Sequence, residues 1–359
     1  MVWALSVTCT VAYGVLFYAF AVFVVPMRED LGVGTGQLSG ALSLAIAVNG
    51  AAAIWVGKHL DRHGARWLMT GGSLLGAASV VGWSQAQSLP ALYLAFVGVG
   101  LAGAAVMYEP AFALVTSWFD RDRPAALLTL TVVAGFASTI FLPLSQALVD
   151  GIGWRAALLV LAGLLAACAI PQAVLLRRAP ADLGLGVDGD PASAVHVDAE
   201  TDDHGPLLQT SWRAPAVRLL TTASVLETLA VTVVAVHLVA YLRDSGAEAG
   251  LAATAAGAIG ILSVAGRVAV TSLARRVGLA PLAAVMVGGQ ALGVAALLTL
   301  PRGPGVVLFV LLFGAGFGVM TIARPSLLGR YVPLRVFGSV SGRQALAIGA
   351  GRVAAPVTA

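Results

Sequence analysis

The sequence predicts an all-α polytopic membrane protein, and two observations support this. Hydrophobic residues make up 59% of the 359 residues and charged residues only 11%, whereas a typical soluble domain has about 25% charged residues. The apolar residues also form continuous runs that reach the length of about 20 residues needed by a membrane helix. A transmembrane barrel would show alternating polar and apolar residues instead.

Eleven apolar segments are long enough to cross a bilayer. They are 3–26, 37–57, 67–87, 91–117, 125–149, 155–176, 216–241, 249–274, 280–300, 305–329 and 337–358. We expect two pseudo-symmetric six-helix bundles, an arrangement that would need a twelfth span. The sequence lacks that span, and a truncated gene product is one explanation.

One long polar stretch, from about residue 177 to residue 213, separates the sixth predicted span from the seventh. Its acidic residues are Asp182, Asp188, Asp190, Asp198, Glu200, Asp202 and Asp203. Because the stretch is rich in acid, alanine and glycine and poor in aromatic residues, we expect a flexible linker. The predicted domains are an N-terminal bundle at 1–176, a cytoplasmic linker at 177–215 and a C-terminal bundle with five spans at 216–359.

Lys and Arg are unevenly divided between the two sets of loops. Thirteen of the 21 basic residues lie in the loops after spans two, four, six, eight and ten, four lie in the opposite loops, and four lie within spans. Loops rich in Lys and Arg remain in the cytoplasm. The sequence therefore predicts an inner-membrane protein with a cytoplasmic N-terminus and linker. Because the bases follow this topology, the net charge of +4 does not indicate a nucleic-acid-binding patch, and no nucleic-acid partner is expected.

Two predicted spans contain a repeated motif in which the charge before a proline changes sign. Glu109-Pro110 in span four matches Arg324-Pro325 in span ten, 215 positions later. Together with Glu227 in span seven, these charges fall near the middle of the bilayer at a rise of about 1.5 Å per residue. Intramembrane charges are costly and usually mark a pathway, so we expect a site where two repeated halves meet. The two prolines are predicted kinks.

The loop after span two combines glycines, an acid and bases in a tight turn: Gly57-Lys-His-Leu-Asp61-Arg62-His-Gly64-Ala-Arg66. An acid here can meet a helix N-terminus or an arginine. The loop resembles the signature of the major facilitator superfamily, G-x-L-x-D-R-x-G-x-R, with a one-residue shift of the leucine. The resemblance implies the major facilitator fold and a loop that acts as a conformational latch without binding substrate.

Further segments resemble the bacterial branch near monocarboxylate and oxalate–formate carriers. They are Ala12-Tyr13-Gly14 in span one, Trp118-Phe119-Asp-Arg121-Asp-Arg123 after span four, and Ser263-Val-Ala-Gly-Arg267 in span eight. In the monocarboxylate carriers span eight holds an Asp-x-x-x-Arg pair that handles proton and carboxylate. Here the arginine is present, and Ser263 stands in place of the aspartate.

The leading hypothesis is a secondary transporter that moves a small organic anion, for example a monocarboxylate, by alternating access and symport with protons. Arg267 and Arg324 would bind the carboxylate, because arginine offers fixed paired donors. Glu109 or Glu227 would carry the coupling proton. Structural alternatives stay open, since Glu109 and Arg324 could form an ion pair and Glu227 could be a protonated, hydrogen-bonded group.

Two other functions also stay open: an exporter of a hydrophobic or zwitterionic compound, and a transport-inactive sensor or fragment. An enzyme is not expected, because no nucleophile–base arrangement, metal-ligand spacing or phosphate-binding loop is present. Cys9 and Cys168 lie in apolar runs and suggest neither a disulfide framework nor a metal site. The expected partners are a small-molecule substrate and the lipid bilayer, the expected state is a monomer, and no cofactor is expected.

Overall fold

A computed structural model describes residues 1–190, 204–245 and 249–358. The predicted linker acids Asp198, Glu200, Asp202 and Asp203 lie outside these ranges. The chain forms two compact units, which are described separately. Unit 1 comprises Met1–Trp212 and Val332–Gly349, and unit 2 comprises Arg213–Tyr331 and Ala350–Ala359.

Unit 1 is helical throughout its membrane-length segments, and several of its helices are interrupted. Its helices are α1 Val2–Tyr13, a π-helix at Gly14–Tyr18, α2 Phe20–Leu31, α3 Thr35–His63, α4 Arg66–Gln85, α5 Leu89–Val106, α6 Tyr108–Trp118, α7 Arg123–Gly135, α8 Ala137–Ile152, α9 Trp154–Ala167, α10 Ala169–Leu175 and α11 His204–Arg213. The first part of α17, Leu334–Thr358, also belongs to this unit.

Unit 2 has fewer and longer helices. They are α12 Pro215–Asp244, α13 Ala249–Val277, α14 Leu279–Thr299, α15 Arg302–Gly316 and α16 Met320–Tyr331, together with the last residues of α17. Its described core includes Phe309 and Phe313, which stack with ring centroids 5.1 Å apart. Leu238, Leu242 and Ile259 pack into the same cluster.

All eleven predicted spans fall on helices, with interruptions in several of them. By length and hydropathy, eight helical segments of the described chain qualify as membrane spans, and Ala258–Ala274 is a shorter apolar helix. The all-α membrane class is therefore confirmed, whereas the count of eleven spans stays a prediction. The predicted domain boundaries likewise stay a prediction, since part of α17 groups with unit 1.

The core of unit 1 contains an aromatic cluster. Trp83 packs edge-on against Phe96 at 4.9 Å and Phe23 at 5.5 Å between ring centroids. Its indole Nε1–H donates to the sulfur of Met27 at 2.9 Å, so the polar atom of this buried ring has a partner. Aromatic rings bury large areas with defined geometry, and this cluster holds α2, α4 and α5 together.

The described part of the predicted linker is ordered by polar contacts. Pro180–Leu183 and Val187–Gly189 form short 3₁₀ turns, and residues 204–213 form α11. Asp182 accepts hydrogen bonds from the backbone N–H groups of Arg178 and Ala179 at 3.0 and 3.3 Å. Such side-chain bonds favour turns over continued helix, which explains why α10 does not extend into the linker.

Candidate transport site and gating loop

The fourth predicted span is broken directly before Glu109. Helix α5 ends at Val106, Met107 has φ −81° and ψ −153°, and α6 starts at Tyr108. Pro110 has no N–H to donate to the carbonyl of Val106, which would be its helical acceptor. The thiol of Cys9 lies 3.7 Å from that carbonyl oxygen instead. Discontinuous helices of this kind characterise transporter binding sites.

Glu109 lies in the first turn of α6 and is half-buried. The hydroxyl of Ser341 donates to its Oε2 at 2.5 Å. Ser341 is buried in α17 within the same unit. The first turn of a helix also interacts favourably with a carboxylate through the helix dipole, so two local features hold the side chain of Glu109 in place.

Aromatic side chains line α6 beside this carboxylate. The rings of Tyr13 and Tyr108 have centroids 4.6 Å apart, and Tyr108 stacks on Phe112 at 4.9 Å. Tyr13 is followed immediately by the π-helix, a rare geometry that is frequent at functional sites. A Cβ on Gly14 would collide with the ring of Phe141 in α8, so this glycine allows the π-helix and α8 to approach closely.

Arg267 lies beside a second helix break, in unit 2. Helix α15 ends at Gly316 and α16 begins at Met320, with Gly318 at φ +80° between them. A Cβ built on Gly318 would collide with Nη2 of Arg267 and would lie 2.6 Å from its Nε and 2.8 Å from its Cζ. The guanidinium therefore lies directly against the backbone of the break.

Arg324 and Glu227 also belong to unit 2, and both are half-buried. Arg324 lies within α16, one residue before Pro325. Glu227 lies in α12, and Arg352 of α17 is the cation that interacts with it electrostatically. Arg352 is not among the site residues predicted from the sequence.

The predicted gating loop makes specific contacts within unit 1. The carboxylate of Asp61 accepts hydrogen bonds from the backbone N–H groups of Gly338 and Ser339 at 2.6 and 2.7 Å. These groups lie in the second turn of α17, so the carboxylate is held by two direct hydrogen bonds rather than by the helix terminus. A Cβ on Gly57 would collide with the carbonyl of Gly338, so glycine on both helices permits their close packing.

The other residues of the loop shape it and join it to neighbouring elements. Gly64 has φ +76°, a conformation that glycine adopts readily, and its Cα faces the side chain of Arg178. Arg66 donates from Nε to the carbonyl of Ala173 at 2.7 Å. Arg62 is exposed. Gly64 and Arg66 thus connect the loop to α10 and to the first linker residues.

The linker also makes hydrogen bonds to the end of α6 and to the loop between α6 and α7. Trp118 donates from Nε1 to the carbonyl of Arg177 at 3.2 Å. Asp188 accepts the backbone N–H groups of residues 120, 121 and 122 at 3.1, 3.0 and 3.3 Å. Partial burial would raise the pKa of Asp188, but these bonds and the charge of Arg121 outweigh it, so the pKa is lowered.

Sequence reasoning missed Ser341, Gly318 and Asp188. Ser341 belongs to a run of small residues that starts at Gly338, a composition typical of close helix packing in membranes. That pattern could have indicated the contact with α3. The sequence contains no signal for the hydrogen bond from Ser341 to Glu109, because the two residues are far apart along the chain.

Comparison with known proteins settles the family. The family model described as Major Facilitator Superfamily matches residues 6–356. The chain belongs to the major facilitator superfamily. This confirms the predicted family and fold class.

Individual relatives agree with this family assignment. Monocarboxylate transporter 4 of Rattus norvegicus is 27% identical over 259 residues, covering 68% of this chain and 51% of the relative. Monocarboxylate transporter 13 of Bos taurus is 32% identical over 240 residues, covering 65% and 51%. The chain thus spans about half the length of the curated relatives it matches.

The fold is also similar to a solved structure of the superfamily. The transporter FucP in the outward conformation superposes with a TM-score of 0.74 at 17% identity, covering 99% of this chain and 90% of FucP. All of these relatives are named as transporters rather than enzymes, which agrees with the absence of enzyme motifs in the sequence.

Proposed function

We propose that this protein is a secondary transporter of a small organic anion, with a monocarboxylate as the leading substrate class, driven by symport with protons. The observation that carries the proposal is the pair of broken helices. One places Glu109 in the first turn of a half-helix, and the other has the guanidinium of Arg267 against its backbone. Resemblance to named monocarboxylate transporters supports the same substrate class.

In this proposal each charged residue has a defined role. Arg267 and Arg324 bind the substrate carboxylate through charge-assisted hydrogen bonds. Glu109 takes up the coupling proton, and Ser341 holds its carboxylate between transport steps. Glu227 is the second candidate for the proton, with Arg352 as its charged neighbour. No nucleotide-binding motif is evident in the sequence, so ion gradients supply the energy.

The contact of Asp61 with α17 serves as the latch in the proposed cycle. Hydrogen bonds from two backbone N–H groups to a carboxylate are strong but reversible. Breaking them releases α17 from α3 and permits the alternate conformation, as alternating access requires. We further propose that this latch faces the cytoplasm of an inner-membrane monomer, since the basic loops lie on that side of the predicted topology.

Uptake of radiolabelled pyruvate into proteoliposomes, with an inward proton gradient, tests the proposal. We expect the Arg267→Ala variant to lose at least tenfold in kcat/KM, because truncation removes one charge-assisted carboxylate contact. The matched control is Arg218→Ala, which removes an exposed arginine of α12 in the same unit and should retain uptake within twofold. Equal uptake by the wild type and Arg267→Ala would refute the role of Arg267.

Substrate competition extends the same assay. Unlabelled monocarboxylates should compete with labelled pyruvate, whereas neutral sugars should not. Binding of pyruvate without flux in the wild type would contradict transport and favour a sensor.

A further inference from the structure

Arg267 is positioned by the backbone of two closely packed helices. A Cβ on Gly266 of α13 would collide with the carbonyl oxygen of Ala315 and would lie 3.0 Å from its Cα. One turn away, a Cβ on Gly314 of α15 would lie 2.9 Å from the Cβ of Leu262. The two glycines therefore bring α13 and α15 to backbone contact directly beside Arg267.

The end of α15 offers this cation a favourable electric field. The helix stops at Gly316, and the N–H of Phe317 is shared between the carbonyls of Phe313 and Gly314 at 2.9 and 3.2 Å. The C-terminus of a helix carries partial negative charge and stabilises a nearby cation. The guanidinium lies against Gly318, two residues beyond this terminus.

Gly318 meets two separate requirements at this point. Its φ of +80° is a conformation that residues with a Cβ rarely adopt. Its missing side chain leaves the space that the guanidinium occupies, since a Cβ would meet Nη2, Nε and Cζ of Arg267 together. A flexible arginine head can move away from a new methyl group, so substitution should displace the cation and leave the helices packed.

We propose that Gly318 is a positioning residue whose bare Cα forms the seat for the guanidinium of Arg267, and so sets where that cation meets the substrate carboxylate. Only the part of this inference that concerns the substrate carboxylate rests on the proposed function. The seat itself can be tested without any transport measurement.

The first test measures the position of Arg267 directly. Purified protein is treated with phenylglyoxal, and mass spectrometry compares the rate of modification of Arg267 with that of Arg324. We expect Gly318→Ala to increase this ratio at least threefold, because the displaced guanidinium loses its backbone cover. An unchanged ratio would overturn the seat, whether or not the wild type transports pyruvate.

Two further variants separate the seat from backbone strain. Gly278 also has a positive φ, +92°, but a Cβ there would meet only ring atoms of Pro281 at 3.7 and 3.9 Å. Gly278→Ala should therefore leave the labelling ratio unchanged. Gly318→Asn adds the same Cβ with a residue that tolerates positive φ better, so it should raise the ratio even if Gly318→Ala folds poorly.

The second test separates substrate affinity from turnover. In pyruvate uptake, Gly318→Ala should raise KM about tenfold and change kcat less than twofold, as expected when only the binding group is misplaced. In an Arg267→Lys background the same substitution should change KM less than twofold, because lysine lacks the planar head that fills the seat. A lower kcat with an unchanged KM would identify Gly318 as a hinge and refute the proposal.

Discussion

The breaks in the fourth and tenth spans share a sequence repeat but differ in how they form. In the fourth span the helix ends at Val106, and Pro110 lies in the first turn of the following half-helix, α6. In the tenth span the helix stops before Gly318, and Pro325 lies inside α16. The missing N–H of proline explains the first break, whereas the conformational freedom of glycine explains the second.

The different positions of the two breaks place the two charges of the repeat in different local fields. Glu109 occupies the first turn of its half-helix, where the dipole favours an acid. Arg324 lies in the second turn of its half-helix, where that effect has largely faded, since it falls off within the first turn. Two equivalent sequence positions therefore carry opposite charges in different local fields, and the repeat does not preserve the position of the break.

The largest effect is expected at the acidic position. Replacing Glu109 by Gln keeps the shape of the side chain but removes its exchangeable charge. Uptake of pyruvate driven by a pH gradient should fall at least tenfold, while exchange of internal for external pyruvate persists, because exchange needs no net proton movement. The control is Glu29→Gln, an exposed acid of the same unit. Unchanged gradient-driven uptake would exclude Glu109 as the coupling acid.

The two prolines should differ in effect if the two breaks differ in cause. Pro110→Ala restores an N–H that can bond to the carbonyl of Val106 and continue the helix, so initial uptake should fall about fivefold as Glu109 leaves its terminal position. Pro325→Ala should change uptake less than twofold, because Gly318 still breaks the helix. Equal losses in the two variants would show that both breaks depend on proline.

The smallest effect is expected at Asp188, far along the chain from both breaks. Its lowered pKa means that the charged carboxylate stabilises the fold above its ordinary pKa, and that this stability is lost as pH falls through the lowered value. Asp188→Asn should reduce the unfolding temperature in detergent by on the order of 1–3 °C at pH 7. The difference should shrink once the pH falls below about 4.

Asp190→Asn is the matched control for this measurement. Asp190 is exposed, and its ion pair with Arg121 is long, at 4.0 Å, so it contributes little to stability. It should leave the unfolding temperature unchanged at pH 7. A difference between Asp188→Asn and the wild type that persists at low pH would mean that packing, rather than the charge, accounts for the contribution of Asp188.

The roles of the predicted site residues stay predictions, yet their surroundings show what sequence reasoning could reach. The gating loop was predicted from adjacent residues, whereas the partners of Asp61, two backbone N–H groups in the second turn of α17, could not be read from the sequence. Flexibility of the linker stays a prediction, and the structure adds that Asp182 and Asp188 accept backbone hydrogen bonds in its first part. Composition does not reveal such bonds, because they depend on which N–H groups come within reach.

Hydropathy was sufficient for the membrane class and the helical segments, and the motif in the loop at 57–66 for the family, since these properties depend on neighbours along the chain. The donor to Glu109, the helix that receives Asp61 and the glycine beneath Arg267 became visible only in the folded chain. Each is a contact between segments distant in sequence, and backbone packing at ångström scale selects the partner from many residues of the same type.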